Sequence, residues 1–310
     1  MTKSVLYALL LTLIWSCNET TGNKQIADSA LAGSLGNANN HTHQYSNPKL
    51  VEYKKYILQL DSCDAASSTI ATKKFKTLFT GEPDGLCDSA FAIFNEHYES
   101  LDRNLNEKHQ KDTTNYDPLF FVYEKGRELI IPQKLTAYNK KLKDNGFEVA
   151  MDEGMTFILQ DRDFISTHFY SFVSSSMREY LTQLNKENKE RLETDGGLII
   201  SPTQLAERII WFEKFMRANP TFLFTSKCVD IKTNYLTILL TGMDNTPLYD
   251  NYETQKLSQL YEHGYQLLLS KYPNSETTKF VKPYFRALKQ KQTEKADYLL
   301  KQYRKKGTIY

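Results

Sequence analysis

The spacing of apolar residues from Lys49 to the C-terminus is the feature that most constrains the fold. Apolar side chains recur three and four residues apart, beginning with Leu50, Tyr53, Ile57 and Leu60. Side chains at this spacing lie on one face of an α-helix, where they can be buried together. The sequence therefore predicts a mainly α fold, built from helical hairpins in an αα-repeat-like domain.

Turn-forming residues divide this pattern into separate elements. The predicted elements cover residues 66–79, 87–110, 118–131 and 132–144, followed by a long helix over 161–191. Ser201 and Gln204 have the spacing of a capping box, and Pro202 occupies the first helical position. Both features are typical of a helix start, and this helix is predicted to end near residue 218.

One segment, at about 147–159, departs from the helical period. Residues 147–151 and 155–159 contain types favoured in strands, and the turn formers Asp152, Glu153 and Gly154 lie between them. This composition predicts one small β-hairpin. Because an isolated hairpin is marginally stable in water, we expect it to pack on the helices.

The N-terminus carries a short apolar segment. Lys3 precedes a run from Val5 to Trp15 that is apolar apart from Tyr7 and Thr12. A run of about 11 residues is too short for a helix that crosses a bilayer, which needs roughly 20. Its length and its positive flank are typical of a secretory signal peptide.

The run ends in Ile14, Trp15, Ser16 and Cys17. This ending resembles the lipobox of bacterial lipoproteins, although the lipobox usually has a small residue where Trp15 stands. The resemblance implies removal of a signal peptide over residues 1–16 and diacylation of Cys17. Two or three acyl chains on one cysteine anchor a protein stably, so the resemblance implies export and attachment to a bacterial membrane, on the periplasmic or surface side of the outer membrane. An ordinary signal peptide with an unmodified Cys17, or an uncleaved short anchor, are the alternatives.

Residues 17–48 are predicted to be a lipidated N-terminus and a disordered tether. They are rich in Asn, Thr, Gly, Ser and Ala, with the single aromatic residue Tyr45, and such a composition cannot build a core. His41 and His43 in this segment are more typical of a solvated loop than of a metal site. Residues 49–310 are predicted to form one mostly α-helical domain, with a sub-boundary at about 195–200.

Lipidation of Cys17 would leave three cysteines, Cys63, Cys87 and Cys228. An exported protein meets an oxidising compartment, so a Cys63–Cys87 disulfide is expected. A continuous helix over 66–79 would hold these two cysteines about 21 Å apart, which is too far for a disulfide. The disulfide therefore requires residues 65–69 to fold back as a loop, and the pattern leaves both arrangements open.

The C-terminal part contains a weak internal repeat at a spacing of 53 residues. Apolar positions match in both copies, pairing Phe212, Phe215, Met216 and Cys228 with Tyr265, Leu268, Leu269 and Val281. Each copy predicts a helix, a proline-containing turn and a second helix. These hairpins, at about 205–290, weakly resemble tetratricopeptide hairpins, whose period is about 34 residues. The resemblance implies a surface for a protein or peptide partner, and the match of Cys228 to Val281 makes that cysteine a core hydrophobe.

The loop between the two copies contains a candidate ligand site. Gly242 is predicted to end one helix, and Asp250 with Glu253 is predicted to cap the next. Turn and cap chemistry explain this loop; the alternative is a ligand-binding loop formed by Asp244, Asn245, Tyr249 and Asp250.

Residues that carry catalysis are not identified by any motif. The nucleophile elbow, the metalloprotease helix and the phosphate-binding and dinucleotide-binding glycine patterns are all absent from the sequence. No two of the six histidines lie three or four residues apart, so we expect no metal and no cofactor. Among the titratable residues, the most notable cluster is Asp161, Asp163 and His168. The aspartates are interpreted as residues of a helix N-terminus; the alternative is a carboxylate that orients His168 as a general base. His97, between two glutamates, is predicted to lie on the surface.

The balance of charged residues limits the classes of binding partner that the sequence supports. The chain has 39 Lys and Arg against 37 Asp and Glu, which argues against nucleic acid as a partner. Residues 289–306 are basic, and a solvated final helix or a contact with a membrane surface or anionic polymer would explain them. We therefore expect a lipid-anchored envelope protein with a non-enzymatic interaction module. An extracytoplasmic hydrolase or a glycan-binding or glycan-processing protein is the alternative.

Overall fold

A computed structural model describes residues 47–121, 123–124, 127–128 and 130–310. The predicted signal peptide, Cys17, His41, His43 and nearly all of the predicted tether lie outside these residues. The described part is mainly helical, with short two-stranded antiparallel hairpins. The prediction of a mainly α fold is therefore confirmed.

The helices occur along the whole described chain. Their bounds are α1 Pro48–Ile57, α2 Ala66–Phe79, α3 Asp84–Gln110, α4 Gln133–Lys143, α5 Asp163–Phe169, α6 Ser175–Lys189, α7 Pro202–Ala218, α8 Thr225–Thr241, α9 Gln259–Lys271, α10 Glu276–Lys289 and α11 Thr293–Lys305. The strands are β1 Tyr123–Glu124, β2 Arg127–Glu128, β3 Phe147–Asp152, β4 Met155–Gln160, β5 Glu193–Thr194, β6 Gly197–Leu198, β7 Gly242–Met243, β8 Thr246–Pro247, β9 Tyr249–Asn251 and β10 Lys256–Leu257.

Aromatic rings fill the core between α2, α3 and α5. The centroid of Phe169 lies 4.5 Å from that of Phe94, 4.9 Å from that of Phe75 and 5.1 Å from that of Phe91. All four rings are fully buried. Their helical spacing brings them to one face of each helix, so the sequence pattern directly produces this core.

The predicted β-hairpin is confirmed as β3 and β4, paired in register from Phe147 with Gln160 to Asp152 with Met155. It packs on α3. Asn106 of α3 donates to the carbonyl oxygen of Ile158 over 2.9 Å and accepts from the Ile158 N–H over 2.8 Å. The Asn106 side chain thus satisfies both backbone groups of Ile158. The hairpin is therefore supported by a helix, as we expect of a hairpin that would be only marginally stable alone.

Two predicted elements differ in the structure. The helix predicted over 161–191 is divided into two helices, α5 and α6. The division lies before Ser174, whose hydroxyl caps α6 by accepting a hydrogen bond from the Met177 N–H. The backbone N–H of Ser174 donates to Asp88 of α3 over 2.9 Å. Where the element over 118–131 was predicted, the described residues form a 3₁₀ turn at Asp117–Leu119 and the paired strands β1 and β2.

The predicted αα-hairpins are present as α7 with α8 and α9 with α10. The capping box at Ser201 is confirmed, since its hydroxyl accepts from the Gln204 N–H and the Gln204 side chain accepts from the Ser201 N–H. Strands β7 to β10 are inserted between the hairpins, and this insertion accounts for much of the excess of the 53-residue spacing over the tetratricopeptide period. Helix α10 continues through Pro283.

Gly264 permits close packing of α9 on the start of α7. A Cβ atom at this position would lie 2.9 Å from the carbonyl oxygen of Pro202 and 3.1 Å from its carbonyl carbon. These are backbone atoms that cannot rotate away, so only glycine fits at this crossing.

Gly264→Ala is expected to lower the free energy of unfolding by about 1–3 kcal/mol, because overpacking forces the two helices apart. Urea unfolding followed by circular dichroism measures this change. Gly85→Ala is the control, since Gly85 lies in α3 with nothing within 4 Å of an added Cβ. The control is expected to be neutral or stabilising, and an equal loss in both variants would contradict the packing argument.

Glu213 of α7 holds the N-terminus of α10. Its carboxylate accepts from the backbone N–H groups of Glu276 and Thr277 and from the Thr277 hydroxyl, over 2.8–2.9 Å. Burial alone would raise the pKa of Glu213, but these hydrogen bonds outweigh burial and lower the pKa below its ordinary value. A buried side chain thus supplies the cap that helix starts need.

Because the folded-state pKa of Glu213 is lowered, its contribution to stability is present above the unfolded-state pKa of about 4.3 and is lost as the pH falls through the lower folded-state value. Glu213→Gln is expected to cost about 1–3 kcal/mol near pH 7, and this difference from wild type should shrink at about pH 3. Urea unfolding at both pH values measures it. Glu207→Gln, which removes an exposed ion pair with Lys271, should show little change at either pH.

Candidate functional site

An open cleft of about 540 Å³ lies where the β9–β10 hairpin, α9 and the turn between α10 and α11 meet. The hairpin contributes Asp250 and Lys256, α9 contributes Glu262 and His263, and the end of α10 contributes Lys289. The walls therefore come from the second αα-hairpin, from the insertion that precedes it and from the turn before α11. We refer to this region as the cleft.

Both carboxylates of the cleft are paired with lysines. Lys289 donates to both oxygens of Glu262 over 2.9 and 3.0 Å, and the Nζ atom of Lys256 lies 3.4 Å from a carboxylate oxygen of Asp250. Gln266 also donates to Glu262, over 3.0 Å. A glycosidase needs one carboxyl group as an acid and a second as a base or nucleophile on opposite sides of a bond. In the cleft both carboxylates are instead engaged by lysine side chains.

Other polar side chains of the cleft have no partner within the described part of the chain. Gln255, Gln259, His263 and Lys291 line the cleft, and none of their side chains makes a hydrogen bond or ion pair to another described residue. The apolar side chains of Leu257 and Leu288 lie among them. Unpaired donors and acceptors beside apolar surface are available to a ligand.

The predicted ligand loop is divided between two places. Asn245 donates through its side chain to the carbonyl oxygen of Asp195 and through its backbone N–H to that of Gly196 over 3.0 Å. The Cβ atom of Asp244 lies close to Gly196 as well. These two residues therefore join the β7–β8 turn to the β5–β6 turn.

The other half of that loop lies by the cleft. Tyr249 pairs with Leu257 in the β9–β10 hairpin, and its ring packs against Tyr252 at 5.4 Å. Of the four predicted loop residues, Asp250 alone lines the cleft. Asp250 belongs to a strand and not to a helix cap, because α9 begins only at Gln259, after Ser258.

Asp161, Asp163 and His168 do not form a catalytic cluster. Asp161 accepts from the Asp163 N–H over 2.9 Å in the turn that leads into α5, whose N-cap residue is Arg162. Asp163 accepts from Lys189 and Asn185, and the Lys189 bond is the main cause of its lowered pKa. The Nδ1 atom of His168 lies 3.1 Å from the Nζ atom of Lys76; burial, with a smaller effect from Lys76, lowers the pKa of His168.

The prediction that His97 lies on the surface is wrong. His97 is buried on α3, and burial lowers its pKa. Its side chain falls on the same side of the helix as the core residues Phe94 and Leu101, and the adjacent glutamates concealed this position.

A buried polar group between α6, α7 and α8 was not predicted from the sequence. Glu187 accepts from the Tyr235 hydroxyl and from the Gln183 side chain, both over 2.6 Å, and Arg208 donates to the carbonyl oxygen of Glu190 over 2.6 Å. Burial raises the pKa of Glu187. In the sequence Arg208 lies between the core residues Leu205 and Ile209, and this apolar context could have indicated that it is buried.

Cys63 and Cys87, the predicted disulfide pair, are free cysteines, and helix α2 lies between them. Residues 66–69 belong to α2, so this segment does not fold back to bring the two sulfur atoms together. Cys87 is buried and its Sγ atom contacts the carbonyl oxygens of Phe79 and Glu82 at 3.7 Å. Cys228 is fully buried, as the repeat alignment predicts, and burial raises its pKa to about 12.

Within the described ranges, no group of three or more His, Cys, Asp or Glu side chains is arranged to hold a metal ion. Among the helices of this same part of the chain, none has the length and apolar character needed to cross a bilayer. Comparison of the chain with protein-family models, with curated proteins and with solved structures found no match.

Thiol labelling of the folded Cys17→Ala chain is expected to modify Cys63 rapidly and to leave Cys87 and Cys228 unmodified, because a buried thiol with a raised pKa reacts slowly. Denaturant without a reductant should then expose both remaining thiols. Cys63→Ser should abolish the rapid reaction and leave the slow ones unchanged. Detection of a single thiol in denaturant, with none reacting in the folded state, would instead demonstrate the Cys63–Cys87 disulfide.

Proposed function

We propose that this chain is an exported protein, held to a bacterial membrane by lipid on Cys17, that binds an extended polypeptide in the cleft. The proposal has two parts that can fail separately. One concerns where the protein is held, and the other concerns what its helical domain does.

The N-terminal sequence supports the anchor. A positive residue, a short apolar run and a small residue directly before Cys17 are the features of a cleaved and acylated signal peptide. Diacylated cysteine provides the two hydrocarbon chains that stable attachment needs, where one chain gives only marginal binding. The helical domain itself would then have no need to enter the bilayer.

The single observation that carries the binding part is the set of unpaired side chains in the cleft. Gln255 and Gln259 can each donate and accept a hydrogen bond, which is what a peptide backbone requires of a partner. Leu257 and Leu288 provide apolar contact between them. Because the acids of the cleft are neutralised by Lys256 and Lys289, the cleft can accept a polar chain without repelling its carbonyl oxygens.

In-cell photocrosslinking with metabolic palmitate labelling tests both parts in one experiment. A photoreactive amino acid replaces His263 in the full-length chain, in native and Cys17→Ala forms. We expect the native chain to incorporate labelled palmitate. We also expect the photoreactive residue at position 263 to form one discrete crosslinked product, and a protease should digest the crosslinked ligand. Cys17→Ala should abolish the palmitate label, because no other cysteine follows a signal-peptide pattern.

A photoreactive residue at Glu179 is the matched control, since Glu179 is exposed on α6, outside the cleft. It should give no comparable adduct. Gln266→Trp, which fills the cleft one turn from residue 263, should remove the adduct. Equal adducts from both positions, or an adduct that Gln266→Trp leaves intact, would refute the binding part. An adduct sensitive to glycosidases but not to proteases would point to a glycan ligand.

A further inference from the structure

Helix α11 exposes a face on which lysines outnumber acids. Ala296 and Tyr303 are the buried residues of this helix, and they define the side that packs on the protein. At 100° per residue, Tyr298, Lys301 and Lys305 lie roughly opposite to them, Lys295 lies at the edge of the outward half, and the exposed acids Glu294 and Asp297 lie within that half. We call Lys295, Tyr298, Lys301 and Lys305 the basic face.

The lysines of this face make no ion pair with the acids around them. Lys295, Lys301 and Lys305 are exposed, and none forms an ion pair with any described residue. Two lysines of the neighbouring helix α10 are paired, since Lys279 and Lys289 each lie 2.5–2.9 Å from a glutamate oxygen. The charges on α11 therefore remain available to an anionic partner.

We propose that the basic face docks on a bilayer that contains anionic lipids. The face runs along a single outer helix of 13 residues, about 20 Å long, and its side chains project outward instead of lining a groove. Such a ridge can meet many headgroup phosphates lying in one plane. Each lysine near an anionic bilayer contributes its own attraction to the binding free energy, and this attraction acts over about one Debye length.

Tyr298 favours a bilayer over a soluble polyanion. Its side chain is 61% exposed at the centre of the three lysines, where it finds neither a core nor a described aromatic partner. Tyrosine is favoured at the membrane–water interface, because its ring enters the headgroup region while its hydroxyl stays hydrated. An acidic polypeptide or a free phosphate polymer would gain less from this exposed ring.

The docking surface differs from the cleft, and it does not require lipid on Cys17. It would restrict the orientation of the helical domain at the membrane, whereas an N-terminal lipid alone fixes only one end of the chain. The variants below change no residue that lines the cleft, so failure of one proposal leaves the other standing.

Vesicle co-sedimentation of the full-length chain tests the docking. The vesicles contain either phosphatidylcholine alone or an equal mixture of phosphatidylcholine and phosphatidylglycerol. The apolar N-terminus is present in every variant and contributes to both vesicle types, so the readout is the ratio of the two partition coefficients. We expect this ratio to be well above one and to fall with rising salt.

The combined variant Lys295→Gln, Lys301→Gln and Lys305→Gln is expected to lower this ratio by about 100-fold, from roughly fivefold for each lysine. The matched control is Lys55→Gln, Lys134→Gln and Lys186→Gln, which removes the same charge from exposed lysines of α1, α4 and α6 that have no ion-pair partner among described residues. The control should retain most of the ratio. Circular dichroism confirms that both variants are folded.

Three outcomes would overturn the proposal. A wild-type ratio near one would show that anionic lipid is not recognised. An equal loss in the control variant would assign the effect to net charge and not to this face. Tighter binding to soluble polyglutamate or polyphosphate than to anionic vesicles, with loss in the α11 variant, would assign the face to a soluble polyanion.

Discussion

The position of α10 depends on one buried carboxylate from another helix. Glu213 of α7 accepts two backbone N–H groups and a hydroxyl at the start of α10, and so replaces the water that these groups would otherwise bind. The far end of α10 delivers Leu288 and Lys289 to the cleft. Helix α11 follows directly and packs on α10, so both proposed binding surfaces depend on this contact.

The distribution of paired charges separates the two surfaces. In the cleft, lysines neutralise Asp250 and Glu262 and leave amide groups and one imidazole for a ligand. On α11, three exposed lysines form no ion pair in the described structure and outnumber the exposed acids Glu294 and Asp297 of the same helix. The formal net charge of +2 conceals this difference, because total charge carries no information about which charges are compensated locally.

Much of the helical architecture was predictable from the sequence, because helix starts and apolar faces are local properties. The bounds of α4, the capping box at Ser201 and the β3–β4 hairpin all depend on residues within a few positions of one another. The break between α5 and α6 was not predictable in this way. It depends on Asp88, which binds the Ser174 N–H from 86 residues away, and no periodicity of residues 161–191 contains that contact.

Only some residues of the candidate site were predicted, because the site also depends on contacts between residues far apart in the sequence. The sequence by itself determined a helical period, an N-terminal pattern typical of a signal peptide and two matching αα-hairpins. Tertiary structure alone decided that Asp250 lines the cleft while Asp244 and Asn245 join two turns, that His97 is buried, and that residues 66–69 belong to α2, which lies between Cys63 and Cys87. Burial and charge pairing depend on atoms from distant segments, whereas helix formation depends on neighbours along the chain.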